Sequence, residues 1–164
     1  MSEEFNTEVA SIMIRQALED LEATENKEYF EVNMGNWMTI EDKFIEKEYP
    51  ITGLGPTNKE VVRVCKVCFA GSVMSNRLQD DIVETLPSDF DDRTRDCLYS
   101  LDCLRAYEYS CFLARFYGEG SDSTIKAQEE METLNLSRKL YREDPQQFKE
   151  NMSKIADKLE ELGL

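Results

Sequence analysis

A mainly α, single-domain bundle of five to six helices is the architecture this sequence predicts, and three observations predict it. Apolar residues recur at three- and four-residue steps through long segments near both ends and in the middle. The 164 residues, 41% of them hydrophobic, suffice for one core and are too few for two, so residues 1–164 are read as a single acidic domain. Residues 61–78 hold Arg63, Lys66 and Arg77 but no carboxylate, although the chain has 34 acidic residues, which marks this stretch as interior.

In chain order, a first helix is expected over residues 3–22, with Phe5, Val9, Ile12, Met13, Ala17 and Leu21 on its apolar side. Residues 29–34 contain alternating and aromatic elements that suit a short strand, in a small two-stranded element, or an extended loop. Gly35-Asn36 marks a turn. Trp37, the only tryptophan, is expected as a lid on the core, because burying its large ring is the biggest local hydrophobic gain. Residues 39–49 read as a short charged helix or a loop, closed by Pro50 and Gly53-Leu54-Gly55-Pro56.

Thr57-Asn58-Lys59-Glu60 has the form of a capping box, so a central helix is expected over residues 61–78. The competing reading is a strand from Glu60 to Phe69, since the Val61-Val62-Arg63-Val64 run is β-branched and alternates. A helical turn over residues 80–86 stops at Pro87. Ser88 then reads as a cap, with Asp89, Asp91 and Asp92 near the positive end of the next helix. Residues 96–117 are apolar over most of a helical girth and predict one long buried helix. After a polar connection, residues 118–123, a weaker helix is expected over 124–140. The last helix is the best marked: Asp144 as cap, Pro145 at the first position, Gln147 completing a box, and Phe148, Met152, Ile155, Leu159 and Leu162 in one stripe.

The chemistry is bounded chiefly by what is missing. With no histidine, Ser-His-Asp and Cys-His nucleophile sets and mixed Cys/His zinc sites are excluded. Cys65-Lys66-Val67-Cys68 has the spacing of half a zinc site or of a redox pair, but Cys97, Cys103 and Cys111 are too widely spaced to complete a four-cysteine site, and the favoured reading is small core residues. Gly53 and Gly55 lack the Lys-Ser/Thr of a phosphate loop. Asp89, Asp91 and Asp92 resemble the start of a calcium loop, yet Arg93 and Thr94 stand where that loop needs a ligand and a glycine. No metal, cofactor or catalytic set is therefore assigned. Five cysteines, an odd number, and no export signal or apolar run of spanning length point to a reduced, soluble protein of the cytoplasm. The net charge of −15 repels nucleic acid and anionic membranes and favours basic partners; the competing and plainer reading is that it serves only solubility.

Three blocks together resemble a family of small uncharacterised proteins encoded by bacteriophages. They are Asn33-Met34-Gly35-Asn36-Trp37, then Cys65-Lys66-Val67-Cys68-Phe69-Ala70-Gly71-Ser72-Val73-Met74, then Leu98-Tyr99-Ser100-Leu101-Asp102-Cys103-Leu104-Arg105. The likeness covers roughly residues 29–110. Phe69 and Ser72 stand where the pattern has leucine and alanine, which keeps the small, apolar character. The resemblance implies an early or accessory phage protein acting in bacterial host cytoplasm, and it implies no activity.

The expectation that follows is a non-enzymatic protein that binds and modulates a basic host protein, such as a defence nuclease, through its acidic exterior. The densest carboxylate segment supplies the candidate partner-binding residues, Asp80, Asp81, Glu84, Asp89, Asp91 and Asp92, and one version is nucleic-acid mimicry. Two alternatives stay open: a small-molecule pocket near Trp37, Cys65 and Arg105, and zinc held by Cys65 and Cys68. Self-association is left open as well.

Overall fold

The computed structural model describes residues 4–34, 37–47, 58–79, 85–105, 109–117, 122–132 and 138–164. The chain is mainly helical, as expected, with seven α-helices among the described residues and one three-stranded sheet. That sheet is larger than the expected two-stranded element. Strand β1, Phe30–Val32, lies parallel to β3, Asn58–Val67, while β2, Met38–Lys47, pairs antiparallel with β3 on its other side. Met38 stands opposite Val67 and Lys47 opposite Asn58.

Two expectations are corrected here. Residues 39–47 are strand and not a charged helix or loop, and residues 61–67 finish a strand and do not begin a helix. The physical reason is a partner that a local pattern does not reveal. β3 pairs with β2 along its whole length, and its β-branched residues pass from exposed Val61 to buried Val64 and Val67 as the strand enters the core. The basic residues of β3 meet the acids of β2: Lys66 Nζ lies 3.1 Å from Glu41 and Arg63 Nε lies 3.8 Å from Asp42. The capping-box reading falls with the helix it was to start, since Asn58, Lys59 and Glu60 belong to β3.

Helix α1, Ala10–Glu25, begins seven residues later than expected, counted from residue 3. Asn6 sets the delay: its Oδ1 accepts from the backbone N–H of Glu8 at 3.0 Å and of Val9 at 2.8 Å, a local turn that competes with helix. Gln16 then holds the preceding arm, accepting from Asn6 N–H at 2.8 Å and donating to the Glu4 carbonyl at 2.9 Å. Phe5 is thereby buried.

After β3 the chain turns at once into α2, Phe69–Val73, and runs on through one π-helical turn, Met74–Leu78. Every residue from Val67 to Met74 is buried, so the interior role expected of this stretch holds for its second half. The expected single helix over 96–117 is instead two, α3, Asp92–Arg105, and α4, Tyr109–Tyr117, packed antiparallel. Arg93 at the start of α3 donates to the Phe116 carbonyl at 2.8 Å and lies 4.6 Å from the Phe116 ring, which fixes the direction of the pair.

Residues 124–140 likewise divide, into α5, Asp122–Met131, and α6, Arg138–Glu143. The last helix, α7, Pro145–Glu161, forms as its sequence specifies. Asp144 Oδ1 accepts from Gln147 N–H at 3.1 Å, and Gln147 turns its own amide to Asn151 at 2.8 Å and leaves the box half closed. Replacing Asp144 with alanine is expected to lower stability by about 1 kcal/mol, read as a shifted urea midpoint with an unchanged slope.

The core lies between α1, α2, α3 and α7. α1 packs on α2 and α7, and α2 on α3, with Phe69 edge-on to Phe148 at 6.4 Å and Tyr141 edge-on to Phe148 at 5.2 Å.

Candidate functional site

Of the six carboxylates singled out from the sequence, the three that are described, Asp89, Asp91 and Asp92, each have a different partner. Asp80, Asp81 and Glu84 lie outside the described residues. Asp89 accepts from Leu86 N–H at 2.8 Å and closes the 3-10 turn Pro87–Asp89. Asp91 is the cap of α3, in place of Ser88: its carboxylate accepts from Thr94 N–H and from Thr94 Oγ, each at 2.9 Å. The Thr94 backbone bond is the main reason its carboxyl is held below the usual range. An Asp-x-x-Thr spacing carries that cap in the sequence. Asp92 is 91% exposed at its side chain and sits 3.3 Å from Arg95, a pairing too solvated to fix either group. All three remain on the surface.

Another group of acids was not singled out from the sequence, because it comes from helices at opposite ends of the chain. Where α1 meets α7, a shallow groove is lined by Leu18, Glu19, Glu22, Lys149 and Glu150. Lys149 is drawn to Glu25, which also accepts from Tyr141 Oη at 2.7 Å. Burial and that carboxylate together push the Tyr141 phenol up. Glu22 and Glu150 have no basic partner among the described residues, so the groove presents negative charge. Further along, Arg15 joins the helices through Asp157 at 2.9 Å and Glu160 at 2.8 Å.

One carboxylate behaves differently. Asp20, on the buried side of α1, is the single buried charged residue among those described whose acid faces the core. Its Oδ2 accepts from Arg77 Nε at 2.7 Å, and the two side chains are only 7% and 4% exposed. Arg77 also reaches Glu19 at 3.0 Å. Burial dominates over that pairing and pushes the Asp20 carboxyl up to about 6. Beside it, Asn76 donates to the Ser72 carbonyl at 2.7 Å and to Thr24 Oγ at 2.9 Å. The π-helical turn brings Asn76 and Arg77 together toward α1 and fastens it there.

Around Trp37 the structure shows packing. Its half-buried ring meets Tyr99 edge-on at 5.7 Å, consistent with a lid. Cys65 and Cys68 are 4% and 2% exposed. Cys68 is the cap of α2, its sulfur accepting from Gly71 N–H at 3.3 Å. The side chain of Arg105 lies outside the description. Among the described residues no three of Cys, Asp and Glu converge as a metal site would require, and no helix is long and apolar enough to cross a membrane. A scan against protein-family models and searches of curated proteins and of solved structures find nothing that matches this chain.

Proposed function

We propose that this is a non-enzymatic acidic protein that engages a basic partner through its carboxylate-rich exterior, with a basic bacterial host protein, such as a defence nuclease, as the partner class. The observation that carries the reading is the distribution of acid. With a net charge of −15, the carboxylates whose side chains are described are, apart from Asp20, exposed or half-buried, and Glu19, Glu22 and Glu150 gather in one groove between α1 and α7. Such a field raises the on-rate and affinity of a cationic partner and weakens with salt.

The test uses the immobilised full chain, with capture from bacterial lysate at about 0.05 M and about 0.5 M salt, where the screening length falls severalfold. A partner is expected at low salt and lost at high salt. Replacing Glu19, Glu22 and Glu150 with glutamine reports on the groove, and neutralising Asp80, Asp81, Glu84 and Asp92 reports on the other segment. At least one set is expected to weaken capture by about tenfold, the equivalent of two or three rim charges. Duplex DNA competing for the captured protein favours the mimicry version. If no salt-sensitive partner is retained, or neither set changes what is retained, the proposal fails.

A further inference from the structure

Residues 4–8, ahead of α1, are tied down by side chains. Asn6 N–H donates to Gln16 Oε1 at 2.8 Å, and Gln16 Nε2 donates back to the Glu4 carbonyl at 2.9 Å. The Thr7 carbonyl takes two donors from one turn of α3, Arg93 Nε at 2.9 Å and the Cys97 thiol at 3.8 Å. Phe5 adds an apolar anchor, 8% exposed and part of the core, while Glu4 and Glu8 are exposed. Among the described residues no backbone–backbone hydrogen bond involves residues 4–8.

The helix behind this segment does not depend on it. The first helical bond of α1 runs from Met13 N–H to the Val9 carbonyl at 3.0 Å, so nothing before Val9 is needed to complete it. Val9 itself is extended, with φ −117° and ψ 110°, and its side chain makes no cap. A rotation about its Cα–C bond lifts residues 4–8 in one piece. The turn in which Asn6 Oδ1 accepts from Glu8 and Val9 N–H travels with them.

A thiol lies underneath. Cys97 is 0% exposed, and burial pushes it up to about 11, so beneath the closed segment it keeps its proton and is unreactive.

We infer that residues 4–8 form a strap that opens as a unit about Val9 while the helices stay packed, and that this opening governs the access of small electrophiles to Cys97. Lifting the strap takes Thr7 off the Cys97 side of α3 and gives the sulfur to water. Phe5, Gln16 and Arg93 are its three fastenings, and they set the open fraction. Because opening exposes only a few residues, it depends little on denaturant. A thiol at the centre of the core, such as Cys68 at 2% exposure, waits for the core itself to part.

The test labels the reduced full chain with iodoacetamide at several urea concentrations below the onset of unfolding, then unfolds and digests it. Trypsin places Cys68 in peptide 67–77 and Cys97 in peptide 96–105, and a further cut after Tyr99 separates Cys97 from Cys103. Cys97 is expected to react at a rate that stays level across this range, while the Cys68 rate starts lower and climbs. Q16A, which removes both bonds to the strap, is expected to speed Cys97 labelling by about tenfold. F5D, which puts a carboxylate where the ring was seated, is expected to speed it by about a hundredfold with unchanged circular dichroism. If F5D does not fold, the urea series and Q16A decide the outcome. The inference is overturned if the Cys97 and Cys68 rates rise with urea on one slope, or if Q16A or a folded F5D labels Cys97 no faster than the parent.

Discussion

Replacing Arg77 with methionine is expected to lower stability by about 4 kcal/mol at neutral pH, with most of that loss disappearing below pH 6. Asp20 and Arg77 are 7% and 4% exposed at their side chains, and the 2.7 Å bond between them is the main favourable interaction available to the Asp20 charge. Even with that bond, desolvation leaves the carboxyl at about 6 and not at its ordinary 3.8. Removing the guanidinium takes away both the bond and the attraction, leaving a carboxylate in a packed interior.

The pH dependence follows from the raised value. Between the ordinary value and about 6 the folded chain holds a proton that the unfolded chain has lost. Stability from this group therefore grows as pH falls through 6, levels off below 3.8, and is smallest above 6 where Asp20 is charged. Below 6 the group is neutral in parent and variant alike, and Arg77 matters less. The chain has no histidine, whose titration would otherwise fall in the same window. Urea unfolding at about pH 7.5 and about pH 5 measures the difference, and D20N/R77M is expected to be more stable at the higher pH than R77M alone. A loss under about 1 kcal/mol, or one equal at both pH values, means that water screens the pair.

That the pair exists was not legible in the sequence, and the reason applies to most of what the sequence left unread. Asp20 looks like one more acid on an amphipathic helix, and Arg77 like a surface base. Only the π-helical turn, which shifts the facing of residues after Val73, brings the second to the first. Signals that act within one turn were readable: Asp144 and Pro145 start α7, and its stripe buries Phe148, Met152, Ile155 and Leu159. Signals that need a distant partner were not. The alternation in Val61-Val62-Arg63-Val64 competes with helical spacing until β2 supplies Glu41 and Asp42 across the ladder. A continuous apolar stripe over residues 96–117 reads the same for one helix as for two folded back, and the Arg93 contact with Phe116 that distinguishes them lies between helices. The site followed the same pattern. The segment holding Asp89, Asp91 and Asp92 was visible as a run of acids, whereas the groove with Glu22 and Glu150 joins residues far apart in the chain.

Replacing Gly71 with alanine is expected to destabilise the protein by about 3 kcal/mol, even though alanine gains about 1 kcal/mol in helix propensity. The cause is space. A β-carbon on Gly71 would stand 1.8 Å from the Trp37 carbonyl oxygen, 3.0 Å from the Trp37 carbonyl carbon and 3.1 Å from Val67 Cβ. The nearest of these is backbone, and it has little room to retreat. Trp37 leads directly into β2, whose first residue, Met38, is paired with Val67, while α2 is tied to the end of β3 by the Cys68 cap. Making room therefore means parting α2 from the start of β2, and with it loosening the fully buried Phe69 and Val73. Trp37 is the only tryptophan, so its fluorescence reports on the same contact. The variant is expected to shift its emission in the folded state as well as its urea midpoint. If G71A unfolds within about 1 kcal/mol of the parent with unchanged emission, α2 and Trp37 do not approach this closely, and the packing that makes residues 67–74 the centre of the core must be redrawn.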